Sequence, residues 1–200
     1  TSYYGSNFSC ENGIILAEIS INDKNTHSVK LMPAIEYLFK AAGKLITDID
    51  LIGVVNGPGS YTGLRIGVSA AKAISYGVEV PVVGINTLDM LAYSAISAGA
   101  QYICPVIDAR NTHMYFSVYS TGIENSQRYI KRIYDYAAMP AAEMYEFIKD
   151  TADGKIVFIG DGVLANRELL RQLFGNNYCE VPEAQILGRI SCAAEIARDI

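Results

Sequence analysis

The chain has 200 residues, half of them hydrophobic and 18% charged, with a formal net charge of −5. That length can bury a core in one large domain or two small ones, and the composition excludes a disordered chain. The acidic balance argues against a stand-alone nucleic-acid binder, and no apolar run reaches the roughly 18 residues that span a bilayer.

Asn12-Gly13 separates two runs rich in β-branched and aromatic residues, Tyr3–Cys10 and Ile14–Ile21. Asn-Gly accepts the positive φ angles of a tight turn, so this is a predicted β-hairpin. Thr26-His27-Ser28 precedes a helical apolar face at Val29, Met32, Ile35, Leu38, Phe39 and Ala42, with Ser28 as N-cap and Gly43 as stop. Leu51–Val55 then reads as a buried strand, Thr62–Val78 as a helix and Val80–Ile85 as a second strand, which makes a right-handed βαβ unit. Thr87 is expected to cap a helix from Leu88 to about Ala98.

A second half opens at Gly99. Tyr102–Ile107 is a predicted strand, Asp108–Asn111 a turn and Met114–Tyr119 the returning strand, with another strand near Tyr129–Tyr134. Pro140 begins a helix whose face is Met144, Phe147 and Ile148. Lys155–Ile159 is a short buried strand, Gly160-Asp161-Gly162 a turn, and helices follow to Phe174 and from Gln185 to Ile200. Both halves run from a hairpin into alternating helix and strand, which predicts two α/β subdomains over residues 1–98 and 99–200.

The chemistry is sparse. Gly57-Pro58-Gly59-Ser60 links a strand to a helix N-terminus, where backbone N–H groups can hold an anion. No Gly-Lys-Ser/Thr is present, and Gly57, Gly59 and Gly63 are spaced as G-x-G-x-x-x-G, so neither familiar phosphate loop fits. Locally, with no lysine in the loop, steric relief explains the glycines better than a phosphate does, and Ser60 and Thr62 can cap the helix. Gly160, Asp161 and Gly162 form a second turn of this kind, and two such turns would face a common cleft if the halves lie in parallel. Asp161 either holds a metal or phosphate-bound magnesium, or hydrogen-bonds within its turn.

Gly63, Gly67, Ala71 and Ser75 recur every four residues and form a small-residue ridge flanked by Arg65 and Lys72. Such a ridge admits another backbone, either the chain's own sheet or a partner helix. The only histidines are His27 and His113, so a helical two-histidine metal site is excluded, and no G-x-S-x-G or Cys-His nucleophile pair is evident. Cys10, Cys104, Cys179 and Cys192 form no C-x-x-C and fit free thiols in a reducing cytoplasm. No signal peptide is evident, and Thr1 is followed at once by strand-like sequence, as in a fragment.

The run from Gly57 to Gly67, GPGSYTGLRIG, closely resembles the signature of the TsaB (YeaZ) family. Leu31-Met32-Pro33, Val83-Gly84-Ile85, Val106–Arg110 and Ile159–Gly162 agree with it, so the resemblance covers most of the chain. It implies the actin-like ATPase (ASKHA) fold of two ribonuclease-H-like subdomains. It also implies a non-catalytic scaffold that binds and activates the TsaD subunit in making N6-threonylcarbamoyladenosine at tRNA position 37. TsaE, an ATPase, would be a further partner, and tRNA would be met only through the complex. The resemblance further implies a homodimer, helices of the N-terminal half as the contact surface, no tightly bound cofactor, and ATP or ADP at most at the joint with TsaD. Family members usually begin with an apolar strand ending in Asp-Thr-Ser, of which only Thr1-Ser2 is matched, and usually continue past the final helix.

Two other function classes compete. One is an independent enzyme, a glycopeptidase-like peptidase or a sugar-kinase-like phosphotransferase. It needs metal ligands, or a base and a full phosphate grip, that the sequence does not display. The other is a structural homodimer built on the small-residue ridge.

Overall fold

The computed structural model of the chain describes residues 4–9, 14–21, 27–150 and 152–199, with side chains over 14–21, 29–150 and 152–197. It divides into two compact units, Thr1–Met90 with Arg189–Ile200, and Leu91–Gly188. This differs from the sequence-based division at 98/99, both in the boundary and in the return of the last residues to the first unit. Among the described residues no helix is long and apolar enough to cross a membrane.

In the first unit β1 (Tyr4–Ser9) pairs antiparallel with β2 (Ile15–Ile21), as the hairpin reading expects. Cys10 and the Asn12-Gly13 turn lie outside the described residues, as do Thr1-Ser2 and Thr26. Helix α1 (His27–Ala42) begins before Ser28, whose side chain is also outside the described set. It ends where expected. Gly43 takes φ +64°, its N–H donates to the Lys40 carbonyl and the Lys44 N–H donates to the Phe39 carbonyl, the Schellman arrangement. The buried residues of α1 are Leu31 and Leu38, whereas Val29 and Met32 are exposed. The expected face holds from Ile35 onward, where Leu38 is buried and Ile35, Phe39 and Ala42 are half-buried, and only in the first turns does Leu31 take the inward place expected of Val29 and Met32.

Strand β3 (Ile52–Gly57), helix α2 (Tyr61–Val78) and strand β4 (Val82–Asn86) form the βαβ unit, with β3 and β4 parallel from Ile52↔Val82 to Val55↔Ile85. Helix α3 (Thr87–Ser94) is shorter than expected and passes into a 3-10 turn at Ile96–Ala98. Asn86 rather than Thr87 supplies its cap, since the Asn86 Oδ1 accepts the Leu88 N–H at 2.8 Å. The hydroxyl of Thr87 is buried with no hydrogen-bond partner.

The second unit is a five-stranded sheet in the order β7-β6-β5-β8-β9. Its elements are β5 (Tyr102–Arg110), β6 (His113–Glu124), β7 (Gln127–Pro140), helix α4 (Ala141–Ile148), β8 (Ile156–Ile159), helix α5 (Asp161–Phe174) and β9 (Tyr178–Glu180). The turn expected at Asp108–Asn111 lies later: β5 runs to Arg110, and Arg110, Asn111 and Thr112 all take positive φ. A second tight turn, Asn125-Ser126 (φ +51° and +65°), joins β6 to β7, as the right-handed strand twist favours. All four residues of β8 are buried because β5 and β9 flank it, and Phe116, Met144, Phe158 and Leu170 fill the surrounding core.

Only Ser191–Asp199 of the expected helix from Gln185 is α-helical, as α6. A 3-10 turn at Glu183–Gln185 and a positive φ at Gly188 interrupt the earlier residues. Helix α6 packs on β1, β3 and β4, which is why it belongs to the first unit.

Candidate functional site

The turn after β3 is shaped by sterics and capping. Gly57 is buried with φ +122°, and the Gly57–Pro58 peptide is cis. The Ser60 hydroxyl accepts the Gly63 N–H at 3.4 Å and so serves as the α2 N-cap. A Cβ at Gly59 would meet nothing within 4 Å, and Thr62 is exposed. The turn therefore presents hydroxyls and an open backbone but no cation of its own. Arg65, one turn into the helix, lies with its guanidinium carbon 5.5 Å from the Tyr61 ring centroid.

The small-residue ridge of α2 is graded along its length. Gly63 and Gly67 are half-buried, and a Cβ at Gly67 would meet nothing within 4 Å. Ala71 is only 7% exposed, so it packs inside the first unit, and the Ser75 hydroxyl donates to the Val80 carbonyl. Sequence spacing placed Ala71 with the accessible ridge; the structure buries it. Arg65 and Lys72 are exposed on the side of the helix turned away from Gly63 and Gly67. Tyr61 is 74% exposed and Tyr76 90% on this helix. Helix α1 packs on α2 and adds exposed Val29, Met32 and Tyr37. Two helices that pack on each other thus both leave large apolar or aromatic side chains exposed.

The second glycine turn belongs to the other unit and is held tightly. Gly160 has φ +116°, and a Cβ there would stand 2.1 Å from the Val106 carbonyl oxygen. At Gly162 the Cβ would be 2.9 Å from the Val106 carbonyl carbon. Both glycines are thus required by close approach to β5. The Asp161 carboxylate accepts the Asp108 N–H at 3.1 Å, and an Asp108 carboxylate oxygen accepts the Arg110 N–H at 2.9 Å. Burial raises the Asp161 pKa, the Asp108 N–H opposes that rise, and the Asp108 charge adds to it. Asp161 is a turn residue that ties α5 to β5.

His113 fastens its hairpin through Nδ1 and the Asn111 carbonyl, 2.8 Å apart. Cys104 is buried, which pushes its thiol pKa up and leaves it inert. Among the described residues, no three His, Cys, Asp or Glu side chains are grouped to hold a metal ion. One cluster escaped the sequence reading. Glu180 accepts from Arg167 at 3.0 Å, Arg171 at 3.0 Å and the Tyr178 hydroxyl at 2.8 Å. Its signals are the i, i+4 arginines on α5 and the i, i+2 pair on β9, visible only once the two elements are known to be neighbours.

Residues 14–198 match the family described as "TsaD: tRNA N6-adenosine threonylcarbamoyltransferase". The chain is 27% identical over 161 residues to the tRNA threonylcarbamoyladenosine biosynthesis protein TsaB of Bacillus subtilis, covering 80% of this chain and 68% of that protein. It is 34% identical over 94 residues to the Escherichia coli protein of the same name, covering 46% of this chain and 41% of that one. The structure resembles YeaZ from Pseudomonas aeruginosa with a TM-score of 0.68 at 20% identity, over 92% of this chain and 80% of that one. The α/β actin-like ATPase fold expected from the sequence is thereby shown. The chain belongs to the TsaD family of tRNA N6-adenosine threonylcarbamoyltransferases and, within it, to the TsaB (YeaZ) group.

Proposed function

We propose that this chain is a non-catalytic partner subunit that binds and activates a TsaD-class transferase in forming N6-threonylcarbamoyladenosine at tRNA position 37, in the cytoplasm. The observation that carries the reading is the open end of the α2 ridge. A Cβ at Gly67 would meet nothing within 4 Å, on a helix packed beside α1, which leaves Val29, Met32 and Tyr37 exposed, while Tyr61 and Tyr76 are exposed on the other side of α2. A partner helix can approach the backbone at Gly63 and Gly67, and Arg65 and Lys72, on the exposed face with Tyr61 and Tyr76, can meet acidic groups of a partner that reaches around α2. Burial of Ala71 sets the inner limit of that contact. A second copy of the chain can use the same face, and a TsaE-like ATPase is the third component of the proposed assembly.

The turn at Gly57, Gly59, Ser60 and Thr62 is proposed to contribute backbone and hydroxyl groups at the joint with the transferase, where ATP or ADP would sit. Gly160, Asp161 and Gly162 are given a structural role in this reading, because close packing on Val106 and the bond to Asp108 already account for them.

Mixing the purified chain with a TsaD-class subunit, a TsaE-like ATPase, tRNA and the threonylcarbamoyl donor tests this. The modified nucleoside should form only when the chain is present together with the transferase. Equal product with and without the chain would overturn the reading.

A further inference from the structure

The β6–β7 hairpin continues past the sheet that it belongs to. Tyr102, the first residue of β5, pairs with Ser120, so Thr121–Glu124 and Gln127–Ile130 extend beyond β5 as a two-stranded ribbon closed by the Asn125-Ser126 turn. The Thr121 N–H donates to the Gln101 carbonyl and its hydroxyl to the Ala100 carbonyl, which anchors the ribbon where it leaves the sheet. Residues 121–131 carry Arg128 and Lys131 against the single carboxylate of Glu124, in a chain whose net charge is −5, while the next residue, Arg132, is paired with Asp135 at 3.7 Å. Arg128 and Lys131 are exposed, with no carboxylate at ion-pair distance among the described residues.

The ribbon also carries an aromatic platform. Tyr129 pairs with Gly122, and its ring lies across that glycine: a Cβ at Gly122 would stand 2.4 Å from the ring atoms. The missing side chain lets the ring lie against the ribbon while the residue stays 44% exposed. Lys131 pairs with Ser120 and lies on the same face, two residues along the strand. An exposed ring with a free cation beside it is the pairing that holds an unpaired nucleobase by stacking and its phosphate by charge.

We propose that the β6–β7 ribbon is an RNA-contact arm, in which Tyr129 stacks on an unpaired base, Lys131 on the same face contacts its phosphate, and Arg128 on the opposite face contacts the backbone where it passes around the ribbon. The proposal rests on the reading of the chain as a subunit in tRNA modification, and within the expectation that tRNA is met only through the complex it makes this chain one of the contacting parts.

Binding of fluorescently labelled tRNA to the complex of this chain with a TsaD-class subunit, at several salt concentrations, tests the arm. The variants are Tyr129→Ala, Tyr129→Phe and the double reversal Arg128→Glu with Lys131→Glu. Each is checked for an unchanged melting temperature and for unchanged capture of the transferase. Tyr129→Ala should weaken tRNA binding by about 5- to 140-fold, while Tyr129→Phe keeps the stacking face and binds as wild type. The double reversal should lower the salt slope by about two as well as the affinity. Wild-type affinity and slope in the reversal would overturn the arm, and so would loss of transferase capture in place of tRNA binding, which would make the ribbon a protein contact. Failure of the wild-type chain to support modification at all would instead overturn the functional reading.

Discussion

Gly160 lies directly against the carbonyl oxygen of Val106, so that a single added methyl group would fall 2.1 Å from it. The left-handed φ of +116° at Gly160 compounds the clash. Replacing Gly160 with Ala is expected to destabilise the second unit by about 2–4 kcal/mol. Gly162→Ala, with the shorter intrusion, should cost less. Thermal or urea unfolding of the two variants checks the order, and a Gly160→Ala protein as stable as wild type would contradict the geometry.

Gly67 sits in a helix with nothing near the position of its Cβ. Gly67→Ala should therefore stabilise the isolated chain by roughly 0.5–1 kcal/mol, because alanine forms helix more readily and meets no neighbour. The expected readout is a raised melting temperature. A fall would mean that the α2 backbone is already closely packed at this point.

Glu180 supplies a pH dependence. Burial by itself would raise its pKa; the hydrogen bonds from Tyr178 and Arg167, with the charges of both arginines, outweigh that and hold the carboxyl below its ordinary value of 4.5. The folded state thus binds this proton less readily than the unfolded state. The contribution is complete above about pH 4.5 and is lost as pH falls through the folded-state pKa. Glu180→Gln should flatten that part of the stability–pH curve and cost on the order of 1 kcal/mol at neutral pH. A variant curve parallel to wild type between pH 5 and 3 would show that the network is not coupled to stability.

Asp161 carries the opposite sign. Its carboxyl pKa is raised, so the charged form is a burden on the folded state at neutral pH, relieved as pH falls through the raised pKa toward the ordinary value of 3.8. Asp161→Asn keeps an oxygen to accept the Asp108 N–H and removes the buried charge. It is expected to match or exceed wild-type stability at pH 7, whereas Asp161→Ala should lose about 1 kcal/mol with the lost hydrogen bond. Equal losses in both variants would mean that the charge itself is needed.

Local signals made much of this molecule legible. Asn-Gly between alternating runs marked the β1–β2 hairpin, Gly43 marked the end of α1, and the apolar run before Gly57 with the small-residue helix after it gave the βαβ unit. What failed depended on tertiary context. The inward face of α1 was legible from Ile35 to Ala42, but in its first turns Val29 and Met32 are apolar yet exposed and Leu31 is buried instead. Asn86 displaced Thr87 as the α3 cap because α3 begins at Thr87 itself, one residue earlier than expected. Strand β9 is three residues long and exists only through its pairing with β8, and the Glu180 network depends on that pairing. In the site, the glycine spacing of α2 was visible, but its division into an open end at Gly67 and a buried end at Ala71 required the fold. The two glycine turns looked alike in sequence, yet one is open at Gly59 and the other is packed on Val106.

The most direct test compares Gly67→Leu with Gly67→Ala in the reconstituted modification reaction, at matched concentrations of transferase, ATPase and tRNA. Leucine fills the gap that a partner helix would occupy, and its Cβ meets no neighbour within 4 Å in the isolated chain, so the fold should survive while transferase capture and stimulation are lost. Alanine should keep most of both. Stimulation by Gly67→Leu at the wild-type rate, or product formed by the chain without any transferase, would contradict the account.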